Sequence, residues 1–348
     1  MGQDRAYHPT PSPYPPQHSR GSDRLRAPPG FRNSYLTSRR YPVQSLASFI
    51  MRGRSQATLV TAVSAMVSLL VPLVGLLSAA TLALVTLRKG ASEGLILGAW
   101  SGLASGLLAL VTLGSPVLAV GFTLVLWLPI WGVSLVLRRT RSLALTVQAT
   151  ALIGLLILVG IHLQAPDPTA YWRELLGLVR QGLVESGVID AARSEQLVIR
   201  ILPWMTGAFV ATFYLQLLSA LFIGRWWQAL LYNPGGFGAE FRALRLHPGV
   251  GYMALGLLAA KWLPEPAVMW PTELLLLITP LFFLYGMAVA HGLAHAYSAH
   301  RGWLIGLYGL LFLAMPYAEI LVAGFGFLDI WIDLRARATV RKQDQDPN

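Results

Sequence analysis

Cysteine is absent from all 348 residues, which excludes disulfides, cysteine-ligated zinc, iron–sulfur clusters and thiol nucleophiles. Charge is scarce as well. Asp, Glu, Lys and Arg make up 12% of the chain against 55% hydrophobic residues, about half the charged share of a soluble domain. Acidic residues are the scarcer sign, 16 against 27 basic, for a net charge of +11. In a soluble protein such an excess would fit nucleic acid. Here the basic residues fall at the ends of apolar runs, where they set membrane topology, so no nucleic-acid partner is expected. Also missing are a G-x-S-x-G elbow, an H-E-x-x-H helix and a Walker loop. With no paired nucleophile and base in view, no enzyme activity and no cofactor are expected.

What remains is hydrocarbon, and it is clustered. Apolar runs lie at about 56–87, 92–113, 116–137, 142–163, 198–223, 248–263, 271–297 and 302–334, most near the ~20 residues that cross a bilayer. The fold class is therefore all-α, a polytopic transmembrane bundle in contact with lipid. Residues 1–44, rich in Pro, Ser, Tyr and Arg, have no apolar period and read as a disordered basic tail. The opening MGQDRAYHPTPSPYPPQ lacks the apolar core of a cleavable signal. The membrane domain is expected over 45–338, with a short C-terminal tail at 339–348.

Two runs, 56–87 and 302–334, are each about half as long again as one crossing requires. Each holds a central proline, Pro72 or Pro316, where the ring removes an N–H donor and crowds the preceding turn. Breaking both into hairpins gives about ten embedded segments, or eight if either run is one tilted helix. It also gathers the tail, Arg88, Lys89, Arg138, Arg139, Arg141, Arg225, Arg242, Arg245, Arg301 and the C-terminal RARATVRK on one side. Only Arg173, Arg180, Arg193, Arg200 and Lys261 of the 27 basic residues then face the other side. By the positive-inside rule both termini are cytoplasmic. The stretch 164–197 becomes an external amphipathic connector, a lid or a plain interfacial link. The stretch 224–247 becomes a cytoplasmic amphipathic loop.

Several residues stand out against this background. Gly94, Gly98, Gly102 and Gly106 repeat every four residues on one face, which suits an intramolecular packing seam or a dimer interface. Ala57, Thr61 and Ala65 form a weaker small face, and Ala288, Gly292 and Ala296 another. Glu319, after Pro316 in an apolar run, is either a coupling carboxylate or an interfacial acid. Gln148, Gln216, Tyr214 and Tyr285 are uncharged polar groups that can line a cavity or bond helix to helix. Glu273 falls at the outer interface. His291 and His295 share a face at metal-ligand spacing, but no carboxylate stands beside them and no metal is expected. Arg225, Trp226, Trp227, Gly235, Gly236 and Phe237 mark a loop suited to docking a cytoplasmic partner or to lying on the membrane surface. Asp329 and Asp333 lie four apart, with Arg337 one turn beyond Asp333, as for a local ion-pair cluster.

The segments IMRGRSQA, VTLRKG, RWWQALLYNPGGFGAEFRALRL and GFGFLDIWIDLR resemble the YybS-like family of bacterial inner-membrane proteins over about residues 45–340. That family is distantly similar to the substrate-binding S components of energy-coupling-factor transporters. The resemblance implies a small solute held near the outer face and a transmembrane coupling partner met by small residues on the first helix, for which the Ala57, Thr61 and Ala65 face is the match. A membrane scaffold that recruits cytoplasmic proteins is the alternative from a different class.

Overall fold

A computed structural model describes residues 42–165, 167–264, 269–300 and 302–345, and among them every regular element is helical. The basic tail lies outside the described residues apart from Pro42–Gln44, which already belong to the first helix, α1 (Pro42–Arg52). Arg301 also lies outside them. Five helical stretches are long and apolar enough to cross a membrane: Pro72–Lys89, Ala91–Leu113, Leu143–Gln164, Ala191–Tyr232 and Met269–Ala296. Pro248–Ala260 and Gly302–Leu313 are apolar but shorter. These are the features of a multi-pass membrane protein.

Both over-long runs break at their prolines. The first divides into α2 (Arg54–Val67) and α3 (Gly75–Lys89), separated by a 3-10 turn over Pro72–Val74. α4 (Ala91–Leu113) follows directly, and Glu93 in its first turn meets Arg54 at the start of α2, with Nε 3.0 Å from Oε2. The start of α2 and the end of α3 therefore lie at one end of the bundle, and the pair is a hairpin. After α5 (Val117–Gly121), a π-helical segment over Phe122–Trp127 leads into α6 (Leu128–Thr140). Then come α7 (Leu143–Gln164), α8 (Pro168–Glu185), α9 (Ala191–Ile201), α10 (Met205–Tyr232), α11 (Gly236–Arg242), α12 (Pro248–Ala260) and α13 (Met269–Ala296). The last long run divides into α14 (Gly302–Leu313) and α15 (Tyr317–Ile332), and α16 (Leu334–Gln345) closes the chain. A Cβ on Gly292, near the end of α13, would stand 2.8 Å from Arg335 Cδ. The 302–332 excursion therefore begins and ends at one end of the bundle too.

The connector over 164–197 holds two helices, α8 and the start of α9. Gly187 takes a positive φ and Asp190 caps α9 by accepting from Arg193 N at 2.7 Å. Arg180 on α8 reaches Glu195 on α9 at 3.2 Å. Polar caps recur where the chain re-enters apolar helix: Ser142 for α7, Asp167 for α8 and His247 for α12.

α10 is the central post. Tyr214, Leu217, Leu218 and Leu221 on it are wholly buried, and it packs on α3, α7 and α13. Its approach to α3 requires Gly224, where a Cβ would stand 2.7 Å from Ala83 Cβ and 2.9 Å from Ala80 O. α13 and α15 meet still more closely. A Cβ on Gly326 would lie 2.5 Å from both Phe282 O and Gly286 N, backbone atoms that cannot rotate away. Without a hydrophobic force between helices in lipid, such backbone contact is a main source of association. Gly326→Ala is therefore expected to destabilise the protein by about 1–3 kcal/mol or more through overpacking. Gly98→Ala, with nothing within 4 Å of the added carbon, is expected to cost no stability in mixed micelles and to add up to about 1 kcal/mol, since glycine inside a helix is the more flexible residue.

Candidate functional site

Arginine contacts identify one end of the bundle. Arg138 Nη1 donates to Leu87 O at 2.6 Å, and Arg88 stacks over the Tyr232 ring at 4.1 Å, joining the ends of α6, α3 and α10. Arg225 Nε donates to Glu240 Oε2 at 2.9 Å, folding α11 back on α10. Phe237 and Phe241 of α11 pack with Phe222, and Phe241 also meets His291 near the end of α13.

A buried clasp completes this basic end. Asp329, on α15, is 1% exposed. Its Oδ2 accepts from Tyr285 OH at 2.9 Å and from Arg335 Nη2 at 3.2 Å, while Oδ1 accepts from Leu334 N at 2.8 Å. Arg335 Nη1 donates to the carbonyls of Arg242 and Leu244 at 2.8 and 2.7 Å. One guanidinium thus joins α13, α15, α16 and the strand of loop before α12. The local pairing of Asp333 with Arg337 is replaced by a distant one. Asp333 ends α15 in the left-handed region, φ 47°, and its Oδ2 accepts from Arg245 Nη1 at 2.6 Å. The Arg245 guanidinium holds the Asp333 carboxyl below its ordinary range.

The opposite end holds a second buried pair. His162, two residues from the end of α7, places Nε2 at 3.2 Å from Oε2 of Glu273 in the first turns of α13. Their side chains are 11% and 4% exposed. The atoms are off the line of an ideal hydrogen bond, so the contact is one of ion-pair distance. Trp270 stacks on the imidazole with ring centres 4.2 Å apart. Gly207 of α10 lets backbone approach, since a Cβ there would stand 3.0 Å from Glu273 Cα. Above it Trp172 Nε1 donates to Thr206 Oγ1 at 2.9 Å. Glu273 is thus buried between helices near the start of α13, and the sequence reading passes over His162 entirely.

The remaining expected residues scatter. Glu319 is partly exposed in the first turn of α15. Gln148 is partly buried on α7 and donates to its own helix at Ala144 O, 3.0 Å. Gln216 is partly buried on α10, and Tyr285 belongs to the basic clasp. A Cβ on Gly94 would collide with Thr86 and stand 2.8 Å from Trp131 Cδ1. Gly102 faces Thr123 Oγ1 at 3.0 Å by the same measure, whereas Gly98 and Gly106 border a shallow groove of about 470 Å³ with Gly102 and Val120. Arg225, Trp226 and Trp227 sit on α10 rather than in a loop; Trp227 is buried and Trp226 exposed. Gly235 turns the chain with φ 83°, and Gly236 opens α11. The Ala57, Thr61 and Ala65 face is buried against α3, where Ser78 Oγ donates to Thr61 O at 2.8 Å, so it is not the face a partner would meet. His291 is held at both nitrogens, Nδ1 at 2.8 Å from Met287 O and Nε2 at 3.2 Å from Tyr308 OH.

That Tyr308 contact ties α14 to α13 beside a cavity of about 1020 Å³ lined by Leu293 and Ala294 of α13, Leu304 and Leu307 of α14, and Val322 and Phe325 of α15. No residue of α14 is buried.

Comparison with family models, curated proteins and solved structures finds no match to this chain.

Removing one partner of the buried clasp strands a charge. Asp329→Asn or Arg335→Met is expected to cost about 3–5 kcal/mol in unfolding experiments, and the double variant less than the two single losses combined. The exposed Arg245–Asp333 pair contributes below about 1 kcal/mol. Because the folded pKa of Asp333 is lowered, that share is present at neutral pH and lost as pH falls through the lowered value. A titration of wild type against Arg245→Gln checks it.

Proposed function

We propose that this chain is a transporter-like subunit of a bacterial inner membrane that binds a small solute between its helices and relies on a partner for energy. Its basic end faces the cytoplasm. The observation that carries the reading is the cavity of about 1020 Å³ between α13, α14 and α15. Ligand pockets in proteins span about 300–1,000 Å³, are mostly apolar, and in bundles lie between helices. The lining is aliphatic and aromatic, so the solute is apolar or amphiphilic. α14 buries no residue and is held to α13 by a hydrogen bond from Tyr308 to His291, features of an element that can move aside. The likeness to the YybS-like family and, beyond it, to transporter S components supports a coupling partner, met elsewhere than at the buried Ala57 face.

The scaffold reading has less support, because the stretch expected to dock cytoplasmic proteins is engaged within the chain. Arg225 is paired with Glu240, Trp227 is buried and Phe237 packs on Phe222.

Native mass spectrometry of the purified protein tests the proposal. A co-purifying small molecule is expected, and Ala294→Trp, which fills the cavity, is expected to lower its retention at least about tenfold, equivalent to about 1.4 kcal/mol. A protein that is repeatedly empty, or a filled variant that retains its ligand, contradicts it.

A further inference from the structure

We propose that His162 and Glu273 form a one-proton binding site at the bundle end opposite the arginines. The proton count follows from geometry. His162 Nδ1 lies 3.0 Å from Leu158 O, a carbonyl that only accepts. Nδ1 therefore carries a hydrogen, and in a neutral ring Nε2 is left with a bare lone pair. Nε2 faces Glu273 Oε2 at 3.2 Å. Were the imidazole neutral and the carboxylate ionised, two acceptors would confront each other in a dry site. The pair therefore holds one proton, on the ring as imidazolium with carboxylate or on the carboxyl as neutral imidazole with carboxylic acid. Both forms leave the pair with no net charge. Adding a second proton, or removing the first, leaves one net charge in a bundle whose surroundings are hydrocarbon, a cost of several kcal/mol.

Nothing else described nearby balances such a charge. α10 brings Thr206 and Gly207 to the pair, and α8 brings Trp172, none of them ionisable near neutral pH. Lys261, just past α12, is cationic and donates to Thr272 Oγ1 at 2.6 Å, but it forms no ion pair with Glu273 among the described residues. Arg173 of α8 acts on Asp167. Proton exchange therefore requires the pair to part and admit water. His162 lies two residues from the end of α7 and Glu273 four residues from the start of α13, so separation of these ends exposes both groups. Proton occupancy is in this way linked to closure of α7 on α13, the kind of linkage by which a membrane subunit couples a proton gradient to a conformational step. The site lies away from the α13–α15 cavity and stands or falls independently of it.

The test uses the full chain in lipid nanodiscs with 15N-labelled histidine, the His162 signal being assigned by its loss in His162→Gln. In the unsubstituted protein, the His162 ring signals and the Glu273 carboxyl, followed by its infrared C=O band, are expected to change together, in one event, at whatever pH the pair gains or loses a proton. In Glu273→Gln the carboxyl band is lost, and the His162 signals are expected to change at a different pH from those of the unsubstituted protein. A His162 that titrates identically with and without the Glu273 carboxylate overturns the proposal. So do a His162 signal and a Glu273 band that change at different pH values in the unsubstituted protein. Should Glu273→Gln fail to fold, the shared or separate titration in the unsubstituted protein decides the same question.

Discussion

Hydrocarbon is a solvent in which charge must be paired or moved to the edge, and the arrangement of this chain follows from that constraint. The central helix α10 is apolar through most of its length and keeps its arginine, Arg225, in the last turns, where it meets Glu240. The charges that remain buried do so in company. Arg335 satisfies two backbone carbonyls, a tyrosine hydroxyl and a carboxylate at once. His162 and Glu273 have a far sparser setting, one contact between them and aromatic cover from Trp270. A richly bonded cluster holds helices in place; a sparsely bonded one is poised to change state. That difference assigns a structural role to the first and a proton-handling role to the second.

The helices and their interruptions were legible in the sequence because they depend on local chemistry. Pro72 and Pro316 break their runs for reasons carried by the residues themselves, and the long apolar stretches could have no other destination than a membrane. The sites were not legible, because they are made by tertiary contact. Nothing near His162 in the run LVGIHLQ points to Glu273, more than a hundred residues away. A usable signal existed in position: both residues lie within two residues of the ends of their apolar runs, at ends that carry no arginine cluster. The Asp333 pairing failed for a related reason. A left-handed residue at the end of α15 redirects the chain, so the neighbour in sequence is not the neighbour in space. The glycine repeat of α4 was visible as a pattern, yet Gly94 and Gly102 meet different neighbours and Gly98 meets none within 4 Å.

The two ends of the bundle thus differ in kind. The basic end is cross-tied by Arg138, Arg225, Arg245 and Arg335, each to a different element. From the basic end inward, α14 stands off the bundle and leaves an apolar cavity beside the last turns of α13 and against α15.

All of this rests on the two ends lying on opposite sides of a bilayer, with the arginines inward. The absence of cysteine makes the question directly accessible, since any introduced thiol is the sole one. Single variants Thr140→Cys and Ser186→Cys, both at exposed positions, can be challenged in intact cells with a maleimide that does not cross membranes. Labelling of Ser186→Cys in intact cells, with Thr140→Cys labelled only after permeabilisation, is the expected result. Labelling of both from the same side, or of Thr140→Cys alone in intact cells, would contradict it.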